Sequence, residues 1–400
     1  MTAKLTREKL SHVIDKDRIA KADDGSPMTV CPISPEETAA VLSLAGREGW
    51  TVHVKGSGSW VKDHAPTDLV LATTGLVSPL SVRRDDLVAT VPAGIVWTSL
   101  EAELADNGAW IPVDPPGRER TVGSVLATAS TTSLRSGFGG VRDQVVGLSF
   151  VTGNGRIVKV GGEVVKNVAG FDLAKMAIGS FGAFGVIVSA NFRLRAKPQD
   201  EATFVSEGSS AALLERAWLL LESGLNPAGL ELIAPDMHVH DPWTLAVRLL
   251  GSEGSVASDR EVFERDSVWR LLEPDKSKTF WSMLRHGISE GPVGIRIGSL
   301  IRDVSLSLSM VETLPAFVSA AVAGGITRAN GHLTLDDILR IRRIAAEHNQ
   351  PVTVERAPWK ILKQVGHTNP RQESTSSITA NLTATFDPYG TLSTTLTPNS

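Results

Sequence analysis

Val54-Lys55-Gly56-Ser57-Gly58-Ser59-Trp60 is the first segment whose residue types and spacing could do chemistry. Its two glycines leave no Cβ in the way, so successive backbone N–H groups can turn toward one point. Such a concavity holds a phosphate anion, and Ser57 and Ser59 add hydroxyl donors. A plain turn uses the same residues, so the loop alone does not decide. A Rossmann phosphate loop is a poor match. No third glycine stands at the required spacing, and Asp63 is followed by Pro66 rather than by a helix.

Two more segments follow in the same direction. Trp110-Ile111-Pro112-Val113-Asp114-Pro115-Pro116-Gly117 is stiff, and it leads into Thr121-Val122-Gly123-Ser124-Val125-Leu126-Ala127-Thr128. Small residues opening a helix let a flat ring or a pyrophosphate come close to the backbone; tight helix packing is the alternative. Val165-Lys166-Asn167-Val168-Ala169-Gly170-Phe171-Asp172-Leu173 precedes Gly179-Ser180-Phe181-Gly182-Ala183-Phe184-Gly185-Val186-Ile187. Gly179, Ser180, Gly182 and Gly185 crowd a connection between helix and strand. A buried turn would also use them.

The elements that must position these segments are legible. Ser34-Pro35-Glu36-Glu37 starts a helix, with Ser34 as cap and Pro35 at its first position, and Gly49 ends it. Thr51 to Lys55, Leu69 to Ala72 and Leu87 to Val91 read as strands, and Trp97 to Asn107 as a helix closed by Gly108. Gly153-Asn154-Gly155 turns a hairpin between Val146–Thr152 and Arg156–Val160. Asp172 caps a helix to about Ile178, and Val186–Leu194 is a strand. The pattern changes at Pro198-Gln199-Asp200-Glu201. Helices are expected at Ser210–Ser223, Val256–Arg265, Lys278–His286, Leu314–Val322 and Asp336–His348. Strands are expected at Gly229–Ile233, Thr244–Leu250, Val293–Leu300 and Gly325–Ala329. Gln364 to Ser377 is polar and expected to be mobile.

Composition sets the outer bounds. Four hundred residues, 42 % apolar and 21 % charged, describe an ordinary globular chain of two or three domains. Lys plus Arg number 40 and Asp plus Glu 44, with no like-charge block, which argues against nucleic acid. Cys31 is the single cysteine, so the chain can make no internal disulfide and cannot ligate an iron–sulfur cluster. The charged first 30 residues argue against a secretory signal, and no apolar run reaches 18 residues. A cytoplasmic location is the default expectation.

Together and in this order, the three segments resemble the FAD-binding domain of the vanillyl-alcohol oxidase / p-cresol methylhydroxylase (PCMH-type) superfamily, from about Thr29 to Lys197. The likeness is strongest to its FAD-linked D-2-hydroxy-acid dehydrogenase branch, and within that to the FAD-binding E-type subunits of bacterial glycolate oxidase. Val165 to Leu173 carries it most specifically, with Phe171 where the family usually has Tyr. Phe386-Asp387-Pro388-Tyr389-Gly390-Thr391-Leu392 is similar to the closing motif, although Ser393-Thr394-Thr395 replaces the usual Asn-Pro-Gly.

The resemblance implies an α+β fold. A PCMH-type FAD-binding domain of two α/β subdomains would span 1–198. An α+β cap with a mostly antiparallel sheet would span 199–350, and a C-terminal segment, 351–400, would return to the FAD domain. It implies one FAD, with Lys55, Gly56, Ser57, Gly58, Ser59 and Trp60 as the pyrophosphate loop. Pro112, Asp114, Pro115, Val122, Gly123, Ser124, Ala127 and Thr128 would line the flavin and its ribityl chain. Arg142 matches a commonly basic position. Gly179, Ser180, Gly185, Val186 and Ile187 would face the adenosine half and the flavin edge. Ser59 stands where some relatives tether flavin through histidine, which implies non-covalent FAD. His53 and His64 read as surface or packing residues.

Oxidation of a 2-hydroxy acid needs a cation for the carboxylate and a base for the hydroxyl proton. The histidine-rich motif of catalytic subunits in this family is absent. Met237-His238-Val239-His240 and His332 do not match it, and no residue is singled out as catalytic. Arg296, Arg356 and Lys360 read as scattered surface charges, with the alternative that they face the flavin. What the resemblance implies is therefore a redox subunit that works with a related catalytic FAD subunit and an iron–sulfur subunit on a small 2-hydroxy acid, meeting the inner membrane only through partners. A stand-alone flavin oxidase and an assembly subunit with structural FAD are the alternatives.

Overall fold

The computed structural model describes residues 3–20, 26–61, 63–162, 173–235, 242–368 and 373–394. The helix Pro35–Glu48 forms as its caps require: Ser34 accepts from the Glu37 amide and Gly49, at φ +67°, ends it. Gly49 is needed there because a Cβ is strained at positive φ. The helix connects Met28–Val30 to Val52–Lys55, and both strands pair parallel with Leu69–Ala72. Ile19–Ala20 adds an antiparallel edge to complete four strands.

A second sheet is antiparallel throughout, in the order Ser81–Arg83, Val88–Pro92, Val186–Arg193, Val145–Val151, Ile157–Gly161. Gly155, at φ +83°, turns its hairpin. Both sheets share one apolar core drawn from Leu10 to Leu194. Leu392 belongs to it as well, because the chain returns late to bridge Leu392 to Val52.

The core changes between Leu194 and Ala202. From there an eight-stranded sheet forms, every pair antiparallel. Its order is Arg270–Leu271, Asp200–Gly208, Trp243–Gly251, Gly229–Ile233, Ala316–Ala321, Ile326–Gly331, Val293–Gly298, Val352–Arg356. Strand side chains alternate between faces. One face carries Leu230, Leu232, Leu245, Val247, Val293, Ile295, Val318, Ala320 and Ala329, packed in the second core with residues of the helices Ser210–Glu222, Glu253–Glu264 and Leu335–Glu347. The other carries Glu231, Ser319, Arg328, Asn330, Arg296 and Glu355, and it meets residues 129–137 of the first half.

One sequence expectation fails. Leu314–Val322 is not a helix; Ala316–Ala321 is a strand. Its alanines favour helix, but Val318 and Ala320 alternate with Phe317 and Ser319, and pairing with Ile326–Gly331 along its whole length outweighs the propensity. The polar stretch from Gln364 contains the end of a helix, Trp359–Val365, and the start of another, Glu373–Phe386. Phe386 anchors the second one, with its ring 5.8 Å from Phe150 and 6.3 Å from Phe184. The helix Val304–Ser309 and the strand Val352–Arg356 had no counterpart in the sequence reading.

Candidate functional site

A cleft opens where Val52–Lys55 ends. Lys55, Gly56, Ser57, Gly58, Ser59 and Trp60 form one wall, and Gly123, Ser124, Ala127 and Thr128 form the floor. Phe181, Gly182, Gly185, Val186 and Ile187 stand opposite, with Trp359, His367, Ser393 and Thr394 at the rim. The cleft has a cavity volume of about 150 Å³ and opens to solvent.

The loop is held by its own hydroxyls. Ser59 donates to the Glu119 carbonyl at 3.1 Å, Ser57 bonds the same carbonyl, and the two serines lie 2.9 Å apart. Gly56 has no substitute, because a Cβ would lie 2.2 Å from Thr121 Oγ1. Thr121 in turn caps the helix Val122–Thr128 by accepting from the Ser124 amide. Backbone amides and Lys55 supply donors suited to a diphosphate. Trp60 presents a flat indole whose buried Nε1 has no hydrogen-bond partner in the protein. These features fit a flavin dinucleotide.

Trp60 is clamped. The Arg120 guanidinium lies 4.2 Å from its ring centroid and that of Arg356 lies 4.7 Å away. Arg120 is 1 % exposed and donates to the Ser124 carbonyl at 2.9 Å and to Thr128 Oγ1 at 2.6 Å. Cation–π contacts of this kind gain strength when desolvated. His53 and His64 are partly exposed packing residues: their rings stack at 4.1 Å and both line the cleft. Burial, helped by the charges of His64 and Lys55, lowers His53 to about 4, so it is neutral near pH 7. His367 stacks on Phe181 at 3.9 Å and is likewise lowered to about 4 by burial.

The other sequence candidates have different places. Val122 is fully buried behind the floor. Pro112, Asp114 and Pro115 are buried away from the cleft. Asp114 accepts from the Thr131, Thr132 and Ser133 hydroxyls and from the amides of Thr132 and Leu134. Its carboxylate shapes that loop. Ser180 is buried and donates to the Ala177 carbonyl. Arg142 and Gly179 line a separate cavity that shares Phe181 with the cleft. Residues 163–172, which hold the most specific motif, and His238 and His240 lie outside the described residues. His332 is exposed, as is Lys360.

Arg356 is buried and Arg296 is partly buried, so neither is a scattered surface charge. Arg296 and Arg328 lie 3.4 and 3.5 Å from the two oxygens of Glu355, whose side chain is fully buried. Neither contact has hydrogen-bond geometry, so both carboxylate oxygens lack a donor. Burial pushes the Glu355 carboxyl up, but Arg328, Arg296, Arg356 and Arg120 outweigh it and hold the group below the usual glutamate value. Arg328 also donates to the Thr131 carbonyl at 2.8 Å, and Arg296 to that of Ala129 at 3.3 Å. Nearby, burial raises Glu231 to about 8, Arg328 opposing and Asp114 assisting. Glu231 Oε1, Ser319 Oγ and both side-chain polar atoms of Asn330 are buried without partners. Such groups call for water or a ligand. The sequence signal for this face was the alternation of polar and apolar residues in each strand.

Among the described residues no cluster of three or more His, Cys, Asp or Glu could hold a metal ion, and no helix is long and apolar enough to cross a membrane.

The FAD binding domain family matches residues 26–161. Glycolate oxidase subunit GlcE of Escherichia coli (strain K12) is 32 % identical over 50 % of this chain and 53 % of its own length. The mitochondrial D-lactate dehydrogenase [cytochrome] of Arabidopsis thaliana is 24 % identical over 70 % of this chain and 53 % of its own. Glycolate oxidase subunit GlcD of Bacillus subtilis (strain 168) is 26 % identical over 62 % and 53 %. The chain thus spans about half the length of these curated relatives. A solved structure of alkyldihydroxyacetonephosphate synthase superposes with a TM-score of 0.71 at 15 % identity, covering 98 % of this chain and 85 % of that one, which shows a shared fold. Residues 26–161 thus match an FAD binding domain, and the chain is similar to glycolate oxidase subunits and D-lactate dehydrogenases.

Proposed function

We propose that this chain is the FAD-binding subunit of a complex that oxidises glycolate or another D-2-hydroxy acid and passes the electrons to partner subunits. The observation that carries the reading is the 32 % identity to subunit GlcE over half of both chains, joined to the cleft built from Lys55–Trp60 and Gly123–Thr128. Bound FAD supplies two-electron oxidation of a CH–OH donor. The loop and the helix floor bind the dinucleotide, and Trp60 between its two arginines fixes one wall. Ser59 cannot form a histidine-type tether, so the flavin is held without a covalent bond. With one cysteine in the chain, onward electrons go to a centre on another polypeptide. That partner would be an iron–sulfur subunit, beside a related catalytic FAD subunit.

A second reading, chemistry completed within this chain, is favoured by one observation. Glu231, Arg328 and Asn330 are buried on the sheet face that meets residues 129–137, next to the cleft floor. An acid raised to about 8 is a proton donor below that pH and an acceptor above it.

Purified FAD-loaded chain, given glycolate or D-lactate and an electron-accepting dye, separates the two. The complex reading expects no turnover alone and turnover when co-purified partners are restored. Turnover by the isolated chain overturns it in favour of the second. Flavin that stays oxidised even in the assembled complex overturns both.

A further inference from the structure

A second cavity lies behind the Phe181–His367 stack, between the two halves of the molecule. It encloses about 510 Å³. Among the described residues its walls carry Arg135, Arg142, Lys175 and Arg296 with the carboxylate of Asp143, and Arg296 also lies 3.4 Å from Glu355. Three of the cations come from the first half and Arg296 reaches in from the strand Val293–Gly298. Asp143 is engaged, accepting from the Gly140 amide at 2.7 Å. Arg142 donates twice to the Ile178 carbonyl, at 3.1 and 2.7 Å, and Arg296 to that of Ala129. Carbonyls satisfy N–H groups but do not neutralise charge.

Glycine makes the room. A Cβ on Gly140 would stand 2.6 Å from Arg135 Nη1, and one on Gly179 would stand 3.3 Å from Arg142 Nη2. The backbone is thus cut away where the two guanidinium heads enter. Burial lowers Arg296 to about 10; Glu355 opposes this, and Arg328, Arg135 and Arg142 add to it. Arg135 is lowered by burial and by Arg328 and Arg142, with Asp143 opposing. Like charges held together in a partly desolvated space repel, and a small anion between them relieves the repulsion.

We propose that this inter-half cavity is an oxyanion site, built to take one compact carboxylate or phosphate group, and that it is separate from the FAD cleft. Guanidinium groups from both halves line the cavity, and their charge suits a planar carboxylate or a tetrahedral phosphate equally. The site does not depend on the reaction proposed above.

The test uses FAD-loaded full-length protein and two probes, oxalate and inorganic phosphate, titrated by calorimetry at low ionic strength. One saturable site per chain is expected for at least one probe, and which probe binds names the class. Arg135→Gln should weaken that binding at least tenfold, with FAD content and thermal midpoint as checks on folding. Arg296→Gln should do the same, but it also strips a counter-charge from Glu355 and can destabilise the fold, so Arg135→Gln is the deciding variant. Arg265→Gln, on an exposed helix end, should change nothing. Absence of saturable binding by either probe overturns the proposal, as does binding that Arg135→Gln leaves unchanged. Binding seen only in FAD-free protein and displaced by FAD also overturns it, since the cavity would then belong to the cofactor.

Discussion

The cofactor cleft and the polar face of the eight-stranded sheet lie side by side yet are built by opposite means. The cleft recognises through backbone and small residues: Gly56, Ser57, Gly58, Gly123, Ser124 and Gly185 bring peptide groups close to a ligand. The sheet face works through charge. Glu355, Arg328, Arg356, Glu231 and Asn330 are buried together beside the partly buried Arg296, and only some of their polar atoms are satisfied. A backbone site tolerates changes of charge but not of volume. A buried charge cluster tolerates changes of volume better than the loss of one member, because each arginine is held by a shared carboxylate. Arg120 and Arg356 join the two regions by both packing on the Trp60 ring.

The largest effect should follow from Glu355→Ala. It leaves Arg296 and Arg328 buried without their counter-charge, at a cost of about 3–5 kcal/mol. Urea unfolding should show a lower midpoint. An unchanged midpoint would mean that water already neutralises the cluster, and the contrast between the two regions would collapse. Asp114→Ala comes next. It removes the acceptor of hydroxyls and amides from Thr131 to Leu134 and should cost roughly 2–3 kcal/mol by the same measurement.

Glu231→Gln sharpens the charge side through pH. A glutamate raised from 4.5 to about 8 binds its proton more tightly in the folded chain than in the unfolded one. Its contribution to stability is therefore full below pH 4.5 and is lost as pH climbs toward 8. Glutamine does not titrate, so the variant should gain about 1–2 kcal/mol over the native chain at pH 9 and almost nothing at pH 4.5. An equal difference at both values would show that Glu231 is ionised throughout.

On the cleft side, Gly56→Ala should weaken FAD at least tenfold, about 1.4 kcal/mol, when followed by flavin fluorescence. Gly254→Ala is the control, since a Cβ there meets nothing within 4 Å. The smallest effect belongs to Ser59→Ala, which loses one hydroxyl bond to the Glu119 carbonyl and should weaken FAD by about 1 kcal/mol or less. In native and variant protein alike, acid precipitation should release all flavin into the supernatant. Flavin that stays with the pellet would overturn the non-covalent assignment.

The glycine-serine loop and the helix floor of the cleft could be picked out of the chain because their small residues are contiguous. Gly56-Ser57-Gly58-Ser59 and Thr121 to Thr128 are such runs, and Ser34, Pro35 and Gly49 mark a helix by rules that act within one turn. The strand Ala316–Ala321 was misread because its partner, Ile326–Gly331, decides its state. Asp114 was given to the flavin by family resemblance, and its hydrogen-bond partners 17 to 20 residues downstream could not be read from the chain. Arg296 and Arg356 looked like surface charges since nothing near them in sequence says otherwise. Glu355 and Glu231 went unnoticed for the same reason. Sequence determined the cofactor loop, the order of its supporting elements and the change of core near residue 200, because each rests on neighbours along the chain. Tertiary structure alone decided which charges are buried together, because strands distant in sequence must first pair in register before alternation turns Glu231, Arg296, Arg328 and Glu355 toward one space.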